Sequence, residues 1–380
     1  MKRKIYFCFF SILLFISCSH KKNNNSNFAV TTPIIKTVGN IDVIVDPNLE
    51  LMMILARLGQ LTPYYKGFRE ENDYINEVDK YFGKFDLEPA VSLVGRSGLV
   101  YEKLPEFAMY MNEDSTGFKM ELNNKHFITN LGPAYKYPFY ALKSNMDAIR
   151  DFRIKTNFDQ FFQEHKPFYE KMIDEKISII LEGSFDEWYK SFYGVKEKHN
   201  KCIYISYLSG ANYGIEYKTS KGEIIPRSVI LASFTGKSFI DLLSHELSHP
   251  MTRNVVLKLY NNETIKIFFD NQYKQNALYS HFVEKEGLKT GLSLLDETVN
   301  QACANKYLET VFSESEMKII NDYNVFEKRL SYILVISDFL NVYENKRKKY
   351  KNFEAFYPEL EKHILNIITE EKDINFKNDF

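Results

Sequence analysis

His245 and His249 stand four residues apart, and Glu246 directly follows the first of them. Positions i and i+4 of an α-helix lie on one face, so a helix through this segment lets both imidazoles grip one metal ion. Neutral imidazole is a good zinc ligand. A catalytic zinc takes three protein ligands and leaves a position for a water, whose pKa falls to roughly 7. Glu246, beside that water, is placed to take its proton. The chain has 8 histidines in 380 residues, so this spacing rarely arises by chance.

The pattern His245-Glu246-x-x-His249 resembles the HExxH helix of the zincin metallopeptidases. In their gluzincin branch the third ligand is a Glu on a later helix. The resemblance therefore points to Glu297, in the segment 294–302, where apolar residues flank the carboxylate and small ones follow, as on a helix packed close to another. Asp296 is its nearest rival. Glu284 and Glu286 lie in a run of alternating charge that reads as a solvated face. Over residues 200–310 the chain is similar to gluzincins. His-Glu-Leu-Ser-His-Pro followed by Glu-Thr-Val-Asn-Gln-Ala also resembles a family of uncharacterised bacterial lipoproteins with a domain of unknown function. The first resemblance implies a Zn2+ cofactor, peptide-bond hydrolysis and a peptide or protein substrate. There are two departures. Pro250 follows the second histidine, where it removes an N–H and tends to kink or end the helix. Gln301 stands four after Glu297, where an Asp often orients a ligand histidine, though its amide oxygen can accept the same bond.

These residues need a scaffold. Residues 227–234 read as a buried strand, 235–238 as a break, and 239–243 as the apolar start of the metal helix. Upstream, 202–208 and 213–217 alternate as strands joined by turns, so a meander is expected to lead into the metal helix. In the resembled peptidases such a sheet edge holds the substrate backbone, and Gly210 and Gly214 suit close approach of another backbone. Tyr279 and His281 fall where those peptidases carry an oxyanion-stabilising group, although any one of 26 tyrosines is more often structural. After 313, helices are expected over 326–343 and 353–368.

The N-terminal half begins with Lys2-Arg3-Lys4, an apolar run over 5–16 and Ser17-Cys18, a signal peptide of residues 1–17. The apolar run is short of the roughly twenty residues a membrane span needs. The junction resembles a lipobox, which implies lipidation of Cys18, membrane attachment by that lipid, and the periplasmic face of the outer membrane. Polar residues 18–40 read as a tether. Residues 41–195 read as a mostly helical region, after a strand at 41–46 and with a break near Pro167, and 196–380 as the metallopeptidase region. A net charge of −1 gives no reason to expect a nucleic-acid partner. Cys202 and Cys303, the remaining pair beyond Cys8 and Cys18, leave room for one disulfide. His126 and His165 read as lone structural histidines. The expected fold is α+β and zincin-like, mostly helical, with a small antiparallel or mixed sheet beside the metal helix. The competing expectation is a non-catalytic periplasmic binding or scaffold lipoprotein whose zinc site is structural, closed by a fourth protein ligand, or vestigial.

Overall fold

The structure, a computed structural model, describes residues 31–61, 72–99, 103–114, 117–120, 133–195, 199–210, 212–218, 222–279 and 290–378. Cys18, His126, His281, Glu284 and Glu286 lie outside them, as does the side chain of Tyr279.

Strands β1 (Ile34–Val38) and β2 (Ile41–Val45) form an antiparallel hairpin across Gly39-Asn40, with Gly39 at φ +55°. Residues 34–40, expected in the tether, thus belong to the fold. A Gly-Asn pair between two short apolar runs is a hairpin signal, because the tight turn needs positive φ that glycine adopts without strain.

Next comes a helical excursion: α1 (Pro47–Leu58), α2 (Asp73–Phe82), α3 (Pro89–Gly95) and α4 (Lys103–Met109), then the small hairpin of β3 (Met111–Asp114) and β4 (Gly117–Met120). It continues through α5 (Pro133–Ser144), α6 (Met146–Lys155), α7 (Phe158–Glu164), α8 (Lys166–Glu182) and α9 (Phe185–Tyr193). The break expected near Pro167 is the junction of α7 and α8 at His165. Pro167 sits in the first turn of α8, where its missing N–H costs no helical bond. His165 bonds the Phe161 carbonyl and the Glu77 carboxylate, so it is a satisfied structural histidine.

The chain then returns to the sheet as β5 (Lys201–Ser206), β6 (Tyr213–Lys218) and β7 (Ile224–Leu231). The order is β1-β2-β5-β7-β6. β2–β5 and β5–β7 are parallel, and the two outer pairs are antiparallel. This corrects the expected meander: β7 inserts between β5 and β6, and β6 becomes the edge. Parallel neighbours need long crossovers, and residues 207–223, including β6, make one for β5 and β7. The helices between β2 and β5 make the other. Burial accounts for the order, since Ser228, Val229 and Ile230 are wholly buried as a central strand requires, whereas β6 alternates with polar residues.

After the sheet the described residues form α10 (Gly236–Tyr260), α11 (Glu263–Tyr279), α12 (Gly291–Val311), α13 (Glu314–Asp322), α14 (Ile333–Asn345) and α15 (Tyr357–Asn378). The fold is α+β, mostly helical, with a small mixed sheet. The helix expected from 326 begins only at Ile333, because Tyr323–Glu327 forms a π-helical turn and Arg329 adopts φ +58°. Cys202 and Cys303 are free thiols, so the disulfide does not form. Among the described residues, no helix is long and apolar enough to cross a membrane.

Helix α1 is buried on all sides, from Leu49 through Ala56. Asp46 starts it by accepting from the N–H groups of Asn48 and Leu49 at 2.9 Å each, a cap worth about 1 kcal/mol. Its one buried carboxyl, Glu50, accepts from Tyr74 at 2.5 Å and Ser206 at 2.7 Å, and Tyr74 also meets Tyr169 at 2.8 Å. Burial raises the Glu50 carboxyl from 4.5 to about 7, against the pull of those two hydroxyls. The folded protein thus holds a proton between these values that the unfolded chain has released. Stability from this group is full below pH 4.5, falls as pH rises toward 7, and is level above it. Glu50→Gln should therefore flatten the fall in urea midpoint between pH 5 and pH 7.5. Parallel pH profiles for variant and wild type would show that Glu50 is not the group responsible.

Candidate metal centre

Two helices build the site. α10 carries His245, Glu246 and His249, and its apolar residues Phe239, Leu243 and Leu247, spaced by four, are wholly buried. α12 packs against it with Thr298, Asn300, Ala302, Cys303 and Ala304 buried. Small side chains at this contact let the helices come close, as the 294–302 segment leads one to expect. Thr290 caps α12 by accepting from the Ser293 N–H at 3.3 Å. Each helix presents an i, i+4 pair to the other: His245 and His249 face Glu297 and Gln301.

The Nε2 atoms of the two imidazoles lie 3.2 Å apart. Glu297 Oε2 is 3.2 Å from Nε2 of His245, and Oε1 is 3.5 Å from Nε2 of His249. One ligand atom from each of the three residues falls within 4.8 Å of the others, a set able to hold a metal ion. The remaining ring nitrogens are engaged. Gln301 Oε1 sits 2.8 Å from Nδ1 of His245, and Asp296 Oδ2 sits 3.4 Å from Nδ1 of His249. Each partner can accept an Nδ1–H, which leaves both Nε2 lone pairs directed toward Glu297. Asp296 therefore orients a histidine instead of completing the ligand set.

The site calls for a cation. In the metal-free protein, burial opposes charge on His249, yet Asp296, Glu297 and Glu246 outweigh it and raise the imidazole to about 10. Burial likewise opposes charge on Glu297, but the two histidines prevail and hold its carboxyl at about 2. Burial raises the Glu246 carboxyl against the pull of both histidines, and its Oε2 is buried with no hydrogen-bond partner among the described residues. An orphaned buried oxygen beside three converging donors fits a bound ion with its water. The side chains of His249, Asp296 and Glu297 are 18 %, 27 % and 26 % exposed, so one side of the cluster is open to solvent.

Pro250 does not end the helix, contrary to the sequence expectation: α10 runs ten residues past it, to Tyr260. A proline at 250 takes away the N–H that would meet the carbonyl of Glu246, four residues back. Strand β6 crosses the helix at that carbonyl. A Cβ on Gly214 would lie 2.1 Å from the Glu246 carbonyl oxygen and 3.1 Å from Cβ of His249. Gly214 does permit close approach of another backbone, and that backbone is the metal helix itself.

Sequence reasoning passed over a chain of amides behind His245. Gln301 donates to Asn305 at 3.2 Å, and Asn305 donates to Asn321 at the end of α13 at 2.8 Å. Asn300 donates to the His245 carbonyl at 2.9 Å. The four-residue step from Gln301 to Asn305 was readable as one helix face, whereas Asn321 arrives from another element.

The profile of a family described as "Domain of unknown function (DUF4932)" matches residues 41–363. The chain belongs to this family. The match takes in β2, β5, β6 and β7 of the sheet, the long helical excursion and both helices of the candidate metal centre, and leaves out β1. None of the curated proteins and none of the solved structures matches the chain.

Because nothing but hydrogen fits at position 214, Gly214→Ala should destabilise the fold by about 1–3 kcal/mol and weaken metal binding by displacing the turn between Glu246 and His249. Gly83→Ala, with open space around it, serves as the control. Thermal unfolding and a metal titration of both variants check this, and equal behaviour of the two would refute the close approach.

Proposed function

We propose that this DUF4932 protein hydrolyses peptide bonds with a zinc ion held by His245, His249 and Glu297, in the manner of a zincin. The observation that carries the reading is the pairing of a part-exposed three-donor cluster with the adjacent buried Glu246 carboxylate, whose Oε2 has no hydrogen-bond partner among the described residues. Two imidazoles and one carboxylate suit zinc, and a three-ligand set is the catalytic type. The scaffold alternative asks for a fourth protein ligand, and the described residues supply three.

The ion, when bound, supplies Lewis acidity toward the scissile carbonyl and toward a water. The protein's own groups do the rest. Gln301 and Asp296 fix the two imidazoles so that their Nε2 lone pairs converge. Glu246 takes the proton of the water and returns it to the leaving amine, a task suited to a buried carboxyl raised above its ordinary value. Strand β6, at the edge of the sheet among the described residues and beside α10, is the element along which we place an extended peptide.

A peptide-library digest with metal analysis tests this directly. Glu246→Gln should keep zinc and lose turnover by about a hundredfold or more, whereas Glu297→Gln should lose zinc itself. Equal inertness of wild type and Glu246→Gln, both holding zinc, would sink the peptidase reading.

We also propose, from the residues at 2–18, that the chain is lipidated at Cys18 and held by that lipid at the cell envelope, on the periplasmic face of the outer membrane. Cys18→Ala should then release the protein from the membrane fraction or leave it unprocessed. Unchanged fractionation and mobility would refute the anchor.

A further inference from the structure

The two histidines of the cluster are oriented by different kinds of group. Asp296 stands 3.4 Å from Nδ1 of His249, and an ionised carboxylate can only accept, so it admits one arrangement of that ring. Gln301 stands 2.8 Å from Nδ1 of His245, and an amide can face a ring either way round. With its oxygen inward it accepts from Nδ1–H and leaves the Nε2 lone pair for an ion. With its nitrogen inward it donates to Nδ1, the proton of the neutral ring then sits on Nε2, and the ligand atom is blocked. Something beyond Gln301 has to choose. Its Nε2 donates to Oδ1 of Asn305 at 3.2 Å, and Nδ2 of Asn305 donates to Oδ1 of Asn321 at 2.8 Å. Gln301 and Asn305 are 2 % and 1 % exposed, so neither can trade its partner for bulk water. Three amides joined in this way have two self-consistent polarities, every oxygen toward His245 or every oxygen away from it, because one amide turned alone sets oxygen against oxygen or nitrogen against nitrogen. In the structure every oxygen is toward His245. Asn321, half-buried in the last turn of α13, is the outer member of the series.

We propose that Asn305 and Asn321 are positioning residues of the metal centre: through the head-to-tail polarity of three side-chain amides they hold the Gln301 oxygen toward His245, which keeps the ring proton on Nδ1 and Nε2 free for the ion. This rests on the metal site of the proposed function and adds what sets its His245 ligand; it does not depend on peptide hydrolysis. In a buried series each hydrogen bond polarises the next, so the preference of the outer amide reaches the ring. The series joins three helices, with His245 on α10, Gln301 and Asn305 on α12, and Asn321 on α13, so the polarity is a property of their packing.

The test measures zinc affinity by competition with a chelator, so it needs no turnover. Asn321→Asp supplies only acceptors, keeps the polarity and should bind zinc about as tightly as wild type. Asn321→Lys supplies only donors and should reverse the series, weakening zinc by about 10–100-fold, the usual scale for losing the partner of a ligand histidine. Asn321→Leu supplies neither and should fall between. A lysine can also act through its charge alone, so Gln301→Glu is measured with and without Asn321→Lys. A glutamate at 301 only accepts, which makes the ring indifferent to the outer amides, and these two proteins should bind zinc alike. In zinc-loaded wild type labelled with 15N-histidine, the Nδ1–H of His245 should give a proton signal protected from exchange, and Asn321→Lys should lose it. Circular dichroism checks each fold; if Asn321→Lys does not fold, Asn321→Leu against Asn321→Asp carries the same comparison. Equal zinc affinity in the folded variants at 321, or the same loss from lysine with Glu at 301 as with Gln, overturns the proposal. Wild type that takes up no zinc would overturn the metal site, and this inference with it. Peptides left uncut by a protein that shows the predicted contrast would count against hydrolysis alone.

Discussion

Everything at the metal centre depends on burying two imidazoles and several carboxylates between two helices without leaving them to repel or starve one another. An unpaired charge in such a place costs several kcal/mol. α10 and α12 meet this by matching periodicities, so that the histidine pair on one faces the Glu297–Gln301 pair on the other. The same geometry that satisfies the charges aims their ligand atoms at one point. His249 held as a cation and Glu297 held as an anion in the metal-free protein are two sides of one demand for positive charge there. A metal ion held by His245, His249 and Glu297 could answer that demand.

The helix contact is in turn set by the sheet. β6 lies across α10 where Pro250 has removed an N–H opposite the Glu246 carbonyl, and Gly214 is the residue that lets the two backbones meet. The edge strand and the ligand helix are therefore placed by a single contact. In the proposed chemistry a peptide laid along β6 would be presented to Glu246 by that same contact. On the other side, the amides of Gln301, Asn305 and Asn321 carry the position of His245 out to the π-helical turn.

The long excursion from α1 to α9 has a simple place in this scheme, as the crossover between parallel neighbours β2 and β5. Its α1 forms the buried floor, with Glu50 bound to Ser206 at the end of β5. Lys201, at the start of β5, is wholly buried, is paired to Asp186 of α9 at 2.6 Å and has its ammonium 4.7 Å from the Tyr189 ring centre. Tyr189 and Tyr193 of α9 reach Leu247 and Ser248 on the metal helix. The N-terminal and C-terminal parts of the chain thus share a core.

What could be read from the chain alone was what local periodicity carries. The four-residue spacing of His245 and His249 needs only a helix to bring them to one face, and the four-residue step from Glu297 to Gln301 likewise foretold an imidazole partner. The break at Pro167 and the mostly helical α+β character were legible for the same reason, since they follow from local backbone preferences. The strand order was not, because alternation marks a strand without saying which neighbour it chooses, and β7 took the middle with both faces buried over Ser228, Val229 and Ile230. Pro250 was misjudged for a related reason: its local cost is real, but packing of α10 against α12 and the sheet outweighs it. Asp296 and Asn321 acquired their places only when separate elements met, and no spacing within one segment records such a meeting.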